Sequence, residues 1–438
     1  MARFTQAKFK KAWLDGILVV FTLFTLFTAK AKADDDWGDD WTQIPTVSSP
    51  WQTTGFVEAA FGHFLPANIV ESSSSLKELR GRLAVDYSHD DFEFSAKGDW
   101  LFDAVLSRSL WQTRALNIAF SPVDNVDIKI GRQVLSWGTG DYLFLNDMFA
   151  KDWQSFFSGR DDEYLKAPSD SVRLTYYLND FTVDLAWTPQ FKPDYYLTGE
   201  RFSFYSPQAQ QLVAPGDDFK VEQTDNSQWS MRLATSVEGV EYALYGYHGF
   251  WNTPEGEREN EGRRYFPELN SWGASVRLPW ASGLFNAEVA AYNSTEDSQG
   301  HNPFIANSQQ RLLLGYEREV VKNFTVGGQY YVEKNKNHEA PLASLQSDFQ
   351  RPIQSEYRQL LTLRLRYAAM GQKLVYSLFA FYSPTDHDSY LRPSMSYRKD
   401  DHRVLSAGAN LFGGNDQYHF FSQHQDNSNI WIRLRYLY

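Results

Sequence analysis

The sequence contains no cysteine among its 438 residues, so no disulfide supports the fold, an absence that is compatible with an exported bacterial protein. The mean hydropathy is −0.49, and beyond the N-terminal region no long apolar run is free of charge. A helical membrane protein, whose helices need about 20 apolar residues each, is therefore excluded. No repeat of fixed period occurs either, which argues against a propeller.

Positive charge is scarce relative to negative charge. The net charge is −12 at pH 7, which excludes the basic surface that nucleic-acid binders use. Catalytic signatures are also missing: none of the nine histidines lies in a nucleophile, HExxH or phosphate-loop motif. Two short clusters of possible ligands, TDHDS around His387 and HFFSQH with His419 and His424, do not have metal-ligand spacing. We interpret both as polar surface loops. The sequence therefore predicts a protein that is not an enzyme and needs no cofactor.

The first 33 residues have the organisation of a secretory signal peptide. Basic residues, including Arg3 and Lys8, precede an apolar run from Ile17 to Thr28, and small residues at Ala31 and Ala33 offer a cleavage site. The run is too short for a membrane anchor, which is the alternative. We expect export with cleavage after Ala33, a polar periplasmic lead over residues 34–51, and one folded unit over residues 52–438.

Aromatic residues are abundant at 16%, and they lie in segments that alternate apolar and polar side chains. The last ten residues, NIWIRLRYLY, place Ile430, Ile432 and Leu434 on one face of a strand and Arg433 and Arg435 on the other. Eighteen such segments begin near residues 53, 76, 91, 110, 126, 171, 181, 228, 240, 271, 283, 309, 323, 357, 372, 390, 402 and 429. Period-two segments with one polar face predict an all-β fold.

The connections between these segments alternate between short turns and long loops, as in a transmembrane antiparallel β-barrel with short periplasmic turns and long extracellular loops. A soluble β-sandwich is the alternative, but it does not require aromatic residues at strand ends. Such residues recur here, at Tyr87, Trp100, Phe102, Trp187, Trp229, Trp272, Tyr367, Tyr436 and Tyr438. The sequence therefore predicts an 18-stranded barrel in the outer membrane of a Gram-negative bacterium.

Three partners follow from this barrel. The last strand must pair with the first, because an unpaired edge cannot face lipid. Its terminal Tyr438 resembles the signal that the barrel assembly machinery recognises. Acidic extracellular loops offer sites for divalent cations that bridge lipopolysaccharide, so lipid and lipopolysaccharide surround the barrel. A small polar or anionic solute is the third expected partner, and nucleic acid is not one.

Alternation also determines which charges face the lumen. Arginines are frequent at the inward positions of strands that run from a long loop to a short turn. Acids such as Asp184 and Glu288 are frequent at the inward positions of strands that run from a short turn to a long loop. Two interpretations stay open: cross-strand pairs that stiffen the wall, or a basic lumen that favours anions. The predicted pore-lining residues are Arg80, Arg82, Lys97, Arg173, Arg232, Arg277, Arg311, Arg364, Arg366, Arg392, Arg433 and Arg435.

A motif ends the fifth predicted strand. Gly131, Arg132 and Gln133, followed by Trp137 and Gly138, resemble a motif of outer-membrane porins, notably the alginate-export-type barrels and related porins. That resemblance implies an 18-stranded barrel, in agreement with the strand count. Strict alternation places Arg132 against lipid, at a cost of about 2–4 kcal/mol at mid-membrane. We expect a bulge at Gly131 to turn it inward; the alternative is a position at the outer interface.

The loop after this motif, residues 139–170, is long and aromatic. The sequence does not decide whether it enters the lumen as a constriction or covers the mouth as a lid. The candidate constriction residues are Asp141, Tyr142, Asp147, Phe149 and Trp153. The function that we predict is a channel, porin or exporter, for passive diffusion of a polar or anionic solute or polysaccharide. The alternatives are a barrel enzyme and a loop-mediated binding or adhesion protein.

Overall fold

The computed structural model describes residues 49–70, 72–206, 209–214, 221–258, 263–339 and 355–438. The predicted leader, residues 1–33, and the predicted lead as far as residue 48 lie outside the described residues. From Trp51 onward, 18 antiparallel strands form one sheet. The last strand pairs with the first, from Phe56 opposite Leu437 to Phe64 opposite Asn429, and so closes the ring. The predicted all-β, antiparallel, 18-stranded barrel is confirmed.

Each strand begins within about three residues of its predicted start. The strands are β1 Trp51–Phe64, β2 Leu76–His89, β3 Phe92–Asp103, β4 Arg108–Val123, β5 Val126–Gln133, β6 Ser169–Leu178, β7 Phe181–Thr188, β8 Gln228–Val237, β9 Val240–Phe250, β10 Glu268–Trp280, β11 Gly283–Ser294, β12 Gln309–Val321, β13 Phe324–Asn335, β14 Tyr357–Ala369, β15 Leu374–Ser383, β16 Asp388–Arg398, β17 Arg403–Gly413 and β18 Asn429–Leu437.

The alternation of side chains produces the two faces of the barrel. On β18, Ile430, Ile432 and Leu434 are about half exposed on the outer surface, whereas Trp431 is buried inside. Large apolar side chains are exposed in the same way on most other strands, including Leu244, Leu361 and Trp272. A continuous apolar outer surface of this kind has lipid as its natural solvent.

The two ends of the barrel differ in their connections. At one end tight turns join the strands; two of them, Glu238–Gly239 and Ala281–Ser282, have positive φ at both residues, the geometry that suits the twist of a hairpin. At the other end the strands are separated by longer stretches of sequence, residues 65–75, 134–168, 189–227, 251–267, 295–308, 336–356 and 414–428, of which 71, 207–208, 215–220, 259–262 and 340–354 lie outside the described residues. Residues 104–107 and 384–387 are short exceptions at this end.

The loops contain the remaining elements. The third loop, residues 134–168, is called loop 3 and holds helix α1, Trp153–Ser158, and a 3-10 turn, Asp162–Leu165. Loop 4, residues 189–227, holds a small hairpin of Phe204–Ser206 with Gln211–Val213, and the loop over 251–267 holds a second one of Gly256–Glu257 with Arg264–Tyr265. Loop 9, residues 414–428, holds a 3-10 turn, Ser422–Asn427. No helix in the described part of the chain is long and apolar enough to span a membrane.

The prediction of a bulge at Gly131 is wrong. The pairing of β5 with β4 and β6 runs on without interruption through Gly131 and Arg132. Arg132 stays opposite Leu116, on the outer face, and binds Asp170 of β6 at 2.6 Å. Both residues lie at the loop end of their strands, and a position at the outer membrane interface stays a prediction. The Gly131 φ of +118° bends the backbone without changing the register.

A bulge does occur one strand earlier, at Arg114 of β4. Lys97 of β3 pairs with Ala115 and its neighbour Gly98 pairs with Thr113, so Arg114 is the extra residue. The outward positions of β4 therefore change from odd numbers, such as Trp111, to even numbers, such as Leu116. The side chain of Arg114 points inward as a result, where it reaches loop 3.

Candidate functional site

Loop 3 lies inside the barrel at mid-height. It binds Glu288, near the middle of β11, and Arg82, near the middle of β2. These strands occupy opposite positions in the ring of 18, so the loop stretches across the whole diameter. Of the two placements that the sequence left open, the structure has the loop inside the lumen and not as a lid over the mouth.

Glu288 holds the turn at which loop 3 enters. Its carboxylate accepts hydrogen bonds from the backbone N–H groups of Thr139 and Gly140, from the Thr139 hydroxyl at 2.8 Å and from the Asn146 amide at 2.8 Å. Gly138 supplies the positive φ of +86° that this turn requires. Consecutive backbone N–H groups form a concave site for an anion, and here the wall itself provides the anion.

An aromatic cluster fixes the middle of the loop. Asp152 caps α1 by accepting a hydrogen bond from the Ser155 N–H at 2.8 Å, and Gly159 ends the helix in the left-handed conformation. The helix thereby presents Phe156 and Phe157 to the inner wall. Their rings lie 5.8 and 5.5 Å from the ring of Tyr390, which is completely buried. Edge-to-face aromatic packing of this kind makes loop 3 part of the hydrophobic core.

A buried charge network fixes the end of the loop. Arg160 binds Glu78 of β2, and the hydroxyl of Tyr164 donates to Asp99 of β3 at 2.7 Å. Arg114 donates to the carbonyl groups of Glu163 and Lys166 at 2.9 Å. Removing one partner of a buried ion pair is strongly destabilising, so these contacts hold loop 3 firmly against β2, β3 and β4.

The predicted pore-lining arginines are paired with carboxylates in most cases. Wall acids on neighbouring strands bind Arg80 and Arg82 (Asp99), Arg173 and Arg232 (Asp184), Arg277 (Glu241), Arg311 (Glu333), and Arg433 and Arg435 (Glu58). Acids of loop 3 bind Arg364 (Asp141), Arg392 (Asp162), Arg82 (Glu163), and Arg433 and Arg435 (Asp161). Among the described residues, no ion pair involves Lys97 or Arg366.

The arginines on the turn side of loop 3 remain exposed to the interior. The side chains of Arg173, Arg232, Arg277 and Arg364 are 33–46% exposed, although Asp184, which two of them share, is only 1% exposed. Arg366 is exposed as well. Around Asp184 the exposed charge is therefore that of Arg173 and Arg232, whereas Arg277 and Arg364 lie beside Glu241 and Glu317, which are 61% and 43% exposed.

The candidate constriction residues separate into two groups. Asp141 binds Arg364 of the wall at 3.0 Å, and the ring of Tyr142 lies 4.6 Å from the ring of Phe379 of the wall, so these two lie between the loop and the wall. Burial raises the pKa of Asp141, and the Arg364 guanidinium opposes that shift. The other three contact loop residues: Asp147 binds the buried Lys151 and Phe149 packs on Trp137 within loop 3, and Trp153 donates to Asp194 of loop 4.

The motif residues serve structural contacts. Gln133 is buried and donates to the carbonyl groups of Lys129 and Ser171 at 3.3 Å, while Arg132 binds Asp170 on the outer surface. Trp137 and Gly138 begin loop 3. The residues Gly131, Arg132 and Gln133 thus end β5, and Trp137 and Gly138 start the turn that Glu288 holds.

Several residues of the site were missed by the sequence interpretation. Three inward acids neutralise arginines: Glu58 near the middle of β1 binds Arg435, and Glu78 and Asp103, at the loop end of β2 and β3, bind Arg160 and Arg201. Inward aromatic residues form the surface on which Tyr142 and α1 pack, namely Phe379, Phe381, Tyr390 and Phe412. Phe379 and Phe381 could have been found from the segment LVYSLFAFYS. This segment is apolar on both faces, as expected for a strand that is buried on both sides.

No protein-family model matches the chain, and no curated protein matches it. Solved structures do. OccAB3 of Acinetobacter baumannii has a TM-score of 0.53 and 10% identity over 89% of this chain and 99% of its own. OccD3 of Pseudomonas aeruginosa has the same TM-score and identity over 93% and 99%. OccK2 of Pseudomonas aeruginosa, solved in complex with glucuronate, has a TM-score of 0.51 and 9% identity over 89% and 97%.

These neighbours are outer-membrane porin barrels, and at such low identity they show the fold alone. The resemblance to alginate-export-type barrels and its motif stay a prediction.

Proposed function

We propose that the chain is an outer-membrane channel through which polar solutes diffuse, with a preference for anions. One observation carries the proposal: a closed barrel with an apolar exterior encloses a charged interior, and loop 3 crosses that interior at mid-height. Barrels of this width enclose channels, and rings of charged side chains determine which ions pass.

The exterior supports a place in the outer membrane. Bulky apolar side chains on β9, β14 and β18 are 43–55% exposed at Leu244, Leu361 and Leu434, and aromatic pairs such as Trp187 with Trp229 lie at strand ends. Aromatic residues at strand ends are typical of the two membrane interfaces. In this orientation the tight turns face the periplasm and loop 3 narrows the channel from the extracellular side.

The exposed arginines support the preference for anions. Arg173 and Arg232, which share the buried Asp184, line the periplasmic half of the interior, where their positive charge raises the local concentration of anions. Arg277 and Arg364 add positive charge there, beside the exposed Glu241 and Glu317. The solved complex of OccK2 with glucuronate shows a carboxylate sugar bound to a barrel of the same fold. A carboxylate-bearing solute of similar size fits the same chemistry here.

Uptake of isotope-labelled solutes into lipid vesicles tests the proposal. Vesicles that contain the refolded chain without its predicted leader should take up glucuronate faster than glucose, which has similar size and no charge. The double variant R277Q/R364Q should reduce that ratio, whereas R132Q, on the outer surface, should not change it. Entry of neither solute would refute the channel, and equal entry would reduce the arginines to wall supports.

A further inference from the structure

We propose that Arg82, Arg392, Arg433 and Arg435 form a binding site for solutes with several carboxylates, and that loop 3 occupies this site with its own side chains. The proposal deepens the anion channel and rests on it, because it names the class of anion that the channel selects. The loop residues concerned are Asp161, Asp162 and Glu163, which we call the acidic triplet.

The acidic triplet reaches three different strands. Asp161 lies 3.3 Å from Arg433 and 3.2 Å from Arg435 of β18. Asp162 binds Arg392 of β16 at 2.9 Å, and Glu163 binds Arg82 of β2 at 2.7 Å. Consecutive side chains around a tight 3-10 turn point in different directions, so three adjacent residues of the loop contact a broad arc of the wall.

Burial differs between the two sides of these pairs. The arginine side chains are 8–17% exposed, whereas the carboxylates of the acidic triplet are 35–56% exposed. The arginines are therefore fixed in the wall, and the acids lie over them on the side that faces the interior. A carboxylate that arrives from the interior approaches the position that the acidic triplet now holds.

The wall alone does not neutralise these arginines. Asp99 and Glu58 bind Arg82 and Arg435, but within the described part of the chain the only carboxylate bound to Arg392 is Asp162. The Nε of Arg433 is buried and has no hydrogen-bond partner among the described residues. Donor capacity is therefore left over for a bidentate carboxylate, the ligand that guanidinium groups bind best.

The acidic triplet can give way without loss of the loop. On one side of it Arg160 is bound to Glu78, and on the other Tyr164 is bound to Asp99. Burial works against ionisation of Asp161, but Arg433 and Arg435 hold its pKa below the usual range, so it carries a negative charge at neutral pH. Side-chain rotation is thus enough to exchange an internal carboxylate for an external one.

The arrangement determines the class of ligand. A single carboxylate replaces one member of the acidic triplet, whereas a molecule with several carboxylates on a flexible backbone replaces two or three at once and gains the advantage of multivalency. We therefore expect tricarboxylates and short chains of acidic sugars to bind more tightly than a monocarboxylate such as acetate.

Titration calorimetry with citrate and acetate in detergent tests this site. The variant D161N/D162N, which removes two internal competitors for the guanidinium groups, should bind citrate about tenfold more tightly than the unmodified chain. Acetate affinity should change much less. D170N, which removes an exposed acid on the outer surface, is the matched control and should leave both affinities unchanged. R392Q in the D161N/D162N background should abolish most of the gain.

Unchanged citrate affinity in a folded D161N/D162N variant would overturn the proposal, and so would an equal gain for acetate. If the double variant does not fold, D162N alone applies the same criterion, because Asp162 is the most exposed member. Calorimetry does not depend on conductance. Citrate binding without solute passage would therefore refute the channel and support the binding site. Solute passage without citrate binding would support the channel and refute the binding site.

Discussion

The carboxylate of Glu288 accepts hydrogen bonds from the backbone N–H groups of both Thr139 and Gly140, so one residue of the wall holds the turn at which loop 3 enters the barrel. An amide in its place keeps the shape but loses the charge, which makes hydrogen bonds to backbone donors strong. E288Q should therefore loosen this turn by about 1.5–3 kcal/mol. Single-channel recording should show a larger conductance or more frequent openings.

The matched control for this prediction is E241Q. Glu241 also points inward, but it lies 4.0 Å from Arg277 and has no described contact with loop 3. Its substitution removes the same charge without affecting the turn. Equal currents for E288Q and the unmodified chain, or equal changes in E288Q and E241Q, would show that Glu288 does not position the loop.

The ion pair of Arg132 with Asp170 lies on the lipid-facing surface at the loop end of the barrel. An unpaired arginine costs about 0–1 kcal/mol near the interface and more at greater depth. D170L leaves the charge of Arg132 unpaired and should lower the free energy of unfolding of the barrel by about 1 kcal/mol. R132L/D170L, which replaces both partners with apolar groups, should restore most of that loss.

Urea unfolding of the refolded barrel in lipid vesicles measures this pair. The effect of the double variant should be smaller than the sum of the effects of D170L and R132L, because the two residues interact. Additive losses would mean that the two side chains act independently in the membrane, against the contact of 2.6 Å.

His424 makes the packing of loop 9 on loop 4 sensitive to pH. Its ring is buried, with Nδ1 3.3 Å from the carbonyl oxygen of Ser203, and burial lowers its pKa to about 4. In the unfolded chain the pKa is about 6.5. The folded state disfavours protonation of His424. Its neutral ring therefore contributes fully to the free energy of unfolding above pH 6.5, and this contribution, up to about 3 kcal/mol, is lost as the pH falls toward 4.

Hydrogen exchange of residues 422–427 at pH 7, 5.5 and 4.5 measures this loss. Exchange should become faster toward acid after correction for the intrinsic rate, and H424Q should remove the pH dependence. H89Q replaces an exposed histidine on the turn side and should leave the dependence intact. A dependence that persists in H424Q would assign the effect to another group.

The fold was predictable because its signal is local. A period-two pattern needs only neighbouring residues, and in segments such as FTVDLAW every outward position is apolar, as lipid requires. Strand starts, closure by the last strand and the outward aromatic residues all follow from this pattern. The bulge was assigned to Gly131 because glycine permits one, but the register changes at Arg114, where the apolar residues change parity.

The path of loop 3 was not predictable because it depends on partners far away in sequence. Glu288 looked like one inward acid among several, and only the fold shows that it faces the backbone of Thr139. The acids Asp161 and Asp162 looked like solvent-exposed charges of a loop. Their partners on β16 and β18 lie more than two hundred residues away. A contact of that kind has no periodic signature.

The most direct test of the anion channel is the reversal potential of single channels of the refolded chain in a planar bilayer under a salt gradient. The exposed arginines predict a reversal potential of the sign that anion selectivity gives. Charge reversal in R364E/R366E should move it toward cation selectivity. A cation-selective channel in the unmodified chain would contradict the role of the arginines, and a folded barrel that carries no current would contradict the channel itself.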